Sequence, residues 1–236
     1  MLSRTLAPLA RPLARAFSTA RGITTRLAPP LATTPAQQAR MVDVLTDAFL
    51  SFPEHTVLWG HDRTLSHTLM QATVAHTLAK HRVWVAESEE GGDILGVGLW
   101  TDPGAAWFTE EDVPAVFGSV MAMLDPTSLA FMLGEMLPRQ AEIEEAYAPG
   151  CSADWYFGAM LGVDPRAQGR GVGGNIVDAI VRRAGDVPVA FHTQGAKNVS
   201  FYGKHGFKVA AEREFVLPNG EKWCDKLMVR RPDGSV

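Results

Sequence analysis

A glycine-rich segment in the last third of the chain constrains the fold most strongly. Residues 161–175 read LGVDPRAQGRGVGGN and continue an apolar run, 155–163, that is typical of a central strand. Apolar residues at helical spacing follow in 173–184. In such a strand, loop and helix unit, glycines let backbone N–H groups turn toward one point, and the helix N-terminus adds a partial positive charge. The segment therefore predicts an anion site that suits a phosphate group.

Two phosphate-binding patterns compete for these glycines. Gly169, Gly171 and Gly174 satisfy G-x-G-x-x-G, the dinucleotide fingerprint, which also requires an acidic residue about 20 residues later to hold a ribose. The next predicted strand, 187–193, reads VPVAFHT and contains no acid. The chain after the loop is also too short for the rest of a doubly wound sheet. A P-loop is excluded because no Gly-Lys-Ser/Thr sequence is present.

Hydrophobic periodicity places further strands and helices around this unit. Apolar runs predict strands at residues 23–28, 82–88, 94–101, 187–193, 207–217 and 222–230. Helical spacing predicts helices at residues 36–52, 62–80 and 198–205, with Asp62 as the N-cap of the second. The last two strands form a hairpin, because Pro218-Asn219-Gly220 lies between them. These elements indicate a mixed α/β domain.

The middle of the chain, residues 110–147, is helical and rich in methionine. We expect Pro126 and Pro138 to break it into pieces. A stripe of Met, Leu and Phe is typical of core packing, and a lid over an apolar substrate is the alternative. Three acids in this region, Glu142, Glu144 and Glu145, are expected to form a solvated face.

The charge is distributed asymmetrically. The net charge is −4, but six of the 22 basic residues and none of the 26 acids precede Asp43, so residues 43–236 carry a formal −10. So acidic a body is a poor nucleic-acid binder and attracts cationic partners instead. Apolar stretches are too short to span a bilayer, so no membrane partner is expected. The two cysteines, Cys151 and Cys224, provide neither a disulfide framework nor metal-ligand spacing, and we expect no metal.

The N-terminus has the composition of a mitochondrial presequence. Residues 1–21 contain arginine, serine and threonine and no acid. Residues 15–18 (RAFS) resemble a matrix-protease site with cleavage after the aromatic residue. Pro8 and Pro12 would interrupt a presequence helix, so a disordered basic tail is the alternative. We expect a mitochondrial matrix protein, with a cytoplasmic location as the alternative.

Residues 168–173, QGRGVG, match Q/R-x-x-G-x-G/A and resemble the signature of the GNAT superfamily of acyl-CoA N-acyltransferases. Residues 163–165 (VDP), residues 198–207 (NVSFYGKHGF) and the closing hairpin stand where that family has similar features. Within the superfamily the chain is most similar to puromycin N-acetyltransferase-type enzymes, through TTRLA, AFLSFPEHTV, RVWVAES and KWCDKLMVRRP. The resemblance implies that residues 22–232 form a GNAT fold. That fold is an α/β (α+β) domain whose mixed, mostly antiparallel seven-stranded sheet has helices on both faces and is splayed between strands 4 and 5.

The resemblance also implies acetyl-CoA as cosubstrate and assigns the residues that bind it. The loop holds the pyrophosphate, a bulged strand binds the pantetheine arm, and Asn198 contacts CoA. Arg166 is a further candidate for the CoA phosphates. The implied CoA-binding residues of the strand and the loop are Met160, Leu161, Gly162, Val163, Gln168, Gly169, Arg170, Gly171, Val172, Gly173 and Gly174.

Catalytic roles follow from the same resemblance. Tyr202, in the F-Y pair, is the implied acid that protonates the leaving thiolate, and a bulge amide near residues 160–162 is the implied oxyanion donor. Puromycin-type enzymes have L-E-T where this chain has Phe191-His192-Thr193, so a histidine replaces their proposed base. His192, titrating near pH 6.5, is the candidate base, directly or through water. The alternatives are a packed Tyr202, an ordinary strand histidine, and Glu54 as base.

The predicted function is N-acetylation of an amine, most simply a small molecule, by direct transfer from acetyl-CoA. The alternatives are protein or peptide N-acetylation and a CoA-binding regulator without catalytic activity. A homodimer is a possible assembly.

The presequence and the first strand lead to a prediction about truncation. Residues 23–28 must survive maturation if they form the first strand, so a presequence must end before about residue 22. Deleting residues 1–17 should leave stability and activity nearly unchanged, whereas deleting 1–30 should destabilise the domain by removing an edge strand. Fusing residues 1–30 to a reporter tests the targeting. A cytosolic reporter would refute import, and a mature N-terminus after Ala28 would refute the strand.

Overall fold

A seven-stranded mixed sheet forms the framework of the molecule and confirms the predicted fold class. The computed structural model describes residues 22–50, 52, 55, 58–60, 62–80, 82–109 and 111–235. The predicted presequence and Glu54 lie outside the described residues. The strands are β1 (Ile23–Leu27), β2 (Val83–Ser88), β3 (Ile94–Thr101), β4 (Tyr156–Val163), β5 (Val189–Gln194), β6 (Lys208–Val216) and β7 (Lys222–Arg230). Their order across the sheet is β1-β2-β3-β4-β5-β7-β6.

The central pair of strands differs from all others in the sheet. The other neighbouring strands pair antiparallel, whereas β4 and β5 run parallel. Their pairing covers Tyr156–Val189, Phe157–Ala190 and Gly158–Phe191, and then stops. Beyond Gly158 the two strands separate, which leaves a cleft in the middle of the sheet.

Helices cover both faces of the sheet. They are α1 (Pro35–Phe49), α2 (Arg63–Ala79), α3 (Asp112–Met121), α4 (Pro126–Phe131), α5 (Leu137–Tyr147), α6 (Cys151–Asp154), α7 (Val172–Ala184) and α8 (Gly195–Gly203). The predicted N-cap of α2 is present, since the Asp62 carboxylate accepts the backbone N–H groups of Thr64 and Leu65. No helix among the described residues is long and apolar enough to cross a membrane.

Alternation along the strands assigns each helix to a face. On one face, Ile176 and Ile180 of α7 pack in a core that also contains Phe191 of β5. On the opposite face, α1 and α2 cover β2 and β3, and α5 and α6 cover β5 and β7. Ala190 contributes to this second core, so His192, two residues further along β5, points to the same face. We call the two sides the α7 face and the α5 face.

The predicted break at Pro138 is wrong. A π-helical turn, Met132–Met136, joins α4 directly to α5, and Pro138 lies in the first turn of α5. In the π-helical turn the Leu137 N–H donates to the Met132 carbonyl oxygen, which shifts the hydrogen-bond register immediately before the proline and lets the helix continue past it. Val120 of α3, Phe131 of α4 and Leu124 between them share a core with Phe215 and Trp223 of the β6–β7 hairpin. This confirms core packing for part of the predicted stripe.

Candidate active site

The separation of β4 and β5 opens a cavity of about 160 Å³. Residues from β3, β4 and β5, from α1 and the segment after it, and from α5 and α8 line it: Phe49, Phe52, Trp100, Gln140, Gly158, Ala159, Met160, Leu161, Phe191, His192, Thr193, Gln194, Asn198 and Tyr202. Five of these side chains are aromatic apart from His192, and the polar ones come from β5, α5 and α8. The cavity therefore brings together the predicted residues Tyr202, His192, Asn198, Met160 and Leu161.

A β-bulge lies in the wall that β4 contributes. Leu99 pairs with Met160 and Trp100 with Gly158, so Ala159 is an extra residue on β4. Ala159 and Met160 both pack toward the α1 core, while Leu161 packs toward α7. Since β5 has already diverged, the backbone groups of β4 after Gly158 that face it lack a strand partner. These groups are available to an extended ligand.

The predicted glycine loop has the expected backbone at two positions. Gly169 and Gly171 have φ angles of +77° and +82°, which residues with a Cβ atom rarely adopt. Gly171 is the N-cap of α7, which begins at Val172. Gly173 and Gly174 therefore lie in the first turn of the helix. The loop 168–171 is exposed, and the N–H groups of that turn lie beside it, where the anion site is predicted.

An aspartate fixes the entry to this loop. Asp164, nearly fully buried, accepts the backbone N–H of Arg166 at 2.8 Å and its guanidinium at 2.7 Å, and Arg40 of α1 also donates to it. The Arg166 hydrogen bond, followed by that of Arg40, holds the pKa of Asp164 well below its usual range. Arg166 is therefore engaged in positioning the loop. Arg170 is exposed, and none of the described residues forms an ion pair with it.

Tyr202 lies at the α7 side of the cavity. Its ring packs against Phe191 at 4.2 Å between centroids and against Phe201 at 4.8 Å. Burial raises the pKa of its hydroxyl, so it stays protonated at neutral pH. Among the described residues none forms a hydrogen bond with this hydroxyl. One turn earlier, Asn198 Nδ2 donates to Thr193 Oγ1 at 3.3 Å.

His192 lies on the opposite face, between two carboxylates. Its Nδ1 is 2.6 Å from Asp225 Oδ2 and its Nε2 is 3.0 Å from Glu144 Oε1. Burial alone lowers the pKa of His192, but the hydrogen bonds to Asp225 and Glu144 outweigh it and raise the pKa to about 9. The expected titration near pH 6.5 is therefore corrected, because the sequence did not reveal these partners.

Neither carboxylate was predicted as a partner of His192 from the sequence. Glu144 was expected in a solvated face, whereas α5 turns it toward β5. Asp225 is fully buried on β7 in line with Trp223 and Leu227. An acid at an inward position of an apolar strand is a signal that could have identified it. The second partner of Asp225 Oδ2 is Gln140, at 3.2 Å.

Two further buried titratable side chains, Cys151 and His55, are not part of the cavity wall. Cys151 is buried near Glu144, and burial, followed by the charge of Glu144, raises the pKa of its thiol to about 12. His55 is buried beside Phe49, and burial lowers its pKa to about 4. Within the described part of the chain, no group of three or more His, Cys, Asp or Glu side chains is arranged to hold a metal ion.

Comparison with known proteins gives the same fold. Residues 139–209 match the family described as an acetyltransferase (GNAT) domain. A Corynebacterium glutamicum structure described as histone acetyltransferase HPA2 and related acetyltransferase is 20% identical, with a TM-score of 0.58 over 89% of this chain and 97% of that chain. Drosophila melanogaster polyamine N-acetyltransferase is 14% identical, with a TM-score of 0.58 over 89% and 99%. YncA of Salmonella typhimurium, whose structure contains its cofactor acetyl-CoA, is 16% identical, with a TM-score of 0.52 over 89% and 94%.

At these sequence identities the structural likeness establishes the fold alone. The family match covers only the segment 139–209, which contains the glycine loop. That segment also includes α5, β4, β5 and α8, which supply most of the cavity wall. The chain therefore has the fold of the GNAT acetyltransferases, and its residues 139–209 match the domain of that family.

Proposed function

We propose that this protein transfers an acetyl group from acetyl-CoA directly to the amine of a small molecule. The observation that carries the proposal is the cavity between β4 and β5, which has Tyr202 on the α7 face and His192 on the other. The glycine loop and α7 follow β4 directly in the chain but do not line the cavity. A donor bound along the α7 face and an acceptor bound on the α5 face would meet there. Direct transfer needs this arrangement, because both substrates must be present at once.

The α7 face suits CoA. The positive φ angles at Gly169 and Gly171 leave the backbone near α7 open to a pyrophosphate, and the exposed Arg170 can approach the same anion. From there, a pantetheine arm would lie along β4 and bind the backbone groups that the divergence of β5 leaves without a strand partner. YncA, with acetyl-CoA bound to the same fold, supports this cofactor.

The chemistry follows from what lines the cavity. The neutral amine attacks the thioester carbonyl, and a backbone N–H of the bulged segment, near residues 160–162, stabilises the oxyanion. The nitrogen then gives one proton to deprotonated His192 or to water. As the carbon–sulfur bond breaks, the hydroxyl of Tyr202 gives its proton to the thiolate. Burial raises the pKa of Tyr202, so its hydroxyl carries a proton to donate at neutral pH.

The shape of the acceptor side favours a small molecule. Gln140 of α5, Phe49 and Phe52 line it, and the whole cavity measures about 160 Å³. A space of this size suits a small amine. The Drosophila enzyme's described product, N-acetylagmatine, is also a small amine derivative. Similarity to the puromycin type makes puromycin one member of the acceptor class to be tested.

The first prediction concerns the acceptor. The full chain should release CoA from acetyl-CoA when mixed with members of a panel of polyamines, arylalkylamines and puromycin. A thiol-reactive dye measures this release, and mass spectrometry of the amine identifies its acetylated product. A histone-tail peptide serves as competitor. Turnover of the peptide alone would move the function to protein acetylation, and CoA binding without any turnover would make the chain a regulator.

The second prediction concerns the loop. Gly171→Ala should weaken CoA binding by about tenfold or more, because a Cβ strains the φ of +82° and disturbs N–H groups that bind a charged ligand. Gly185→Ala is the matched control, since Gly185 also has a positive φ, +58°, at the other end of α7. Calorimetry with CoA and NAD measures both variants. Equal loss of CoA affinity in the two variants, or tight NAD binding by the wild type, would contradict the assignment.

The third prediction concerns Tyr202. Tyr202→Phe should lower kcat by about 10²–10⁴-fold while CoA affinity and the melting temperature stay near wild type, because only the proton donor is lost. Phe201→Leu, a change in a ring that packs beside Tyr202, controls for packing. An unchanged kcat, with chemistry shown to limit the rate, would assign Tyr202 to packing alone.

A further inference from the structure

A buried charged cluster lies behind the acceptor side of the cavity. His192 of β5 forms its centre, and Asp225 of β7 and Glu144 of α5 contact its two ring nitrogens. The side chain of Asp225 is fully buried, and those of His192 and Glu144 are 13% and 18% exposed. Gln140 donates to the same oxygen of Asp225 that contacts His192. Of these residues, His192 and Gln140 line the cavity.

The hydrogen-bond pattern fixes the protonation of the ring. An ionised carboxylate can only accept, so when both acids are ionised the ring donates from both nitrogens, and only imidazolium does so. A neutral ring would place a nitrogen lone pair against one carboxylate. The cluster then holds one positive and two negative charges. The formal charge of the cluster is therefore −1. Loss of the imidazolium proton is unfavourable in free energy, because it would leave two buried carboxylates without a cation.

Groups on the neighbouring elements do not compensate this charge. On α6, Cys151 remains a neutral thiol, and on α8, the hydroxyl of Tyr202 is neutral as well. The nearest ring on β4 is that of Phe157, at 6.2 Å from His192. Lys226 follows Asp225 on β7, but alternation turns it to the other face, where it contacts Glu212 at 2.7 Å. Asp225 and Glu144 are therefore the charges that act on His192.

We propose that Asp225 and Glu144 are positioning residues that orient the His192 ring at the acceptor side and keep it protonated at neutral pH. This proposal rests on the proposed acetyltransferase activity. His192 can accept a proton from the acceptor amine only after it has lost its own. The two carboxylates thereby determine the pH at which the acceptor step becomes fast. Glu144 also makes this control depend on α5, the helix that encloses the acceptor.

The direction of the pH dependence follows from the raised pKa of His192. Since a base acts in its deprotonated form, kcat/KM should rise with pH through an ionisation at about 9, well above the ordinary histidine range. Removing either carboxylate removes a stabiliser of the imidazolium. The ionisation should then move down by at least about one pH unit in Asp225→Asn or Glu144→Gln.

Histidine NMR tests the cluster without any substrate. The full chain is labelled in its histidine rings, and His192→Gln identifies the signal of His192 by its absence. We expect this signal to titrate at about pH 9 in the wild type and at least about one unit lower in Asp225→Asn and Glu144→Gln. Glu142→Gln is the matched control on α5, because Glu142 is exposed, and it should leave the titration unchanged. A wild-type titration near 6.5, or unchanged titration in both cluster variants, would overturn the proposal.

The kinetic arm then separates positioning from a purely structural role. The pH profile of kcat/KM is measured with one amine for all variants, so that the ionisation of the amine is common to them. A downward shift of the profile in Glu144→Gln that matches its NMR shift supports the proposal. An NMR shift with an unchanged profile overturns the catalytic part. If Asp225→Asn fails to fold, the titration and the pH profile of Glu144→Gln still decide. Absence of turnover in the wild type would refute the proposed function while leaving the NMR result valid.

Discussion

Parallel pairing between β4 and β5 stops after three residue pairs, and the arrangement of the candidate site depends on that stop. A continuous sheet would use the backbone groups of β4 in a ladder and would leave no cavity. Because β5 diverges, those groups and the side chains beyond Phe191 become the walls of one space. The bulge at Ala159 adds to the effect by turning two consecutive residues toward the α1 side.

The two faces of the sheet then hold different chemistry. The α7 face presents backbone N–H groups, a helix N-terminus and a protonated tyrosine, which suit a phosphate and a leaving thiolate. The α5 face presents a histidine that lies between two acids and can accept a proton from an amine once it has lost its own. Asp164 ties the first face to α1 through Arg40, so the loop is positioned by the same helix that supplies Phe49 to the cavity.

Local patterns predicted most of the fold. Strand and helix periods, the Asp62 cap and the glycines at positive φ depend on neighbours along the chain, and the structure has them close to where they were expected. What failed depends on distant partners. The end expected at Pro138 is avoided by a π-helical turn, and the ionisation of His192 depends on residues 48 and 33 positions away in sequence. The alternation of residues on β7 places Asp225 toward the core, but no pattern near Glu144 in the sequence predicts that it contacts the His192 ring.

The position of the cavity between two separately covered faces bears on the order of events. Two substrates that approach from opposite faces do not obstruct each other, so either one can bind before the other. A covalent acetyl-enzyme would instead need a nucleophile within the cavity. The free thiol nearest to the charged cluster, that of Cys151, lies under α5 with its pKa raised to about 12, and it is not part of the cavity wall. If the two substrates bind as proposed, the architecture suits a ternary complex in which the acetyl group passes directly from one to the other.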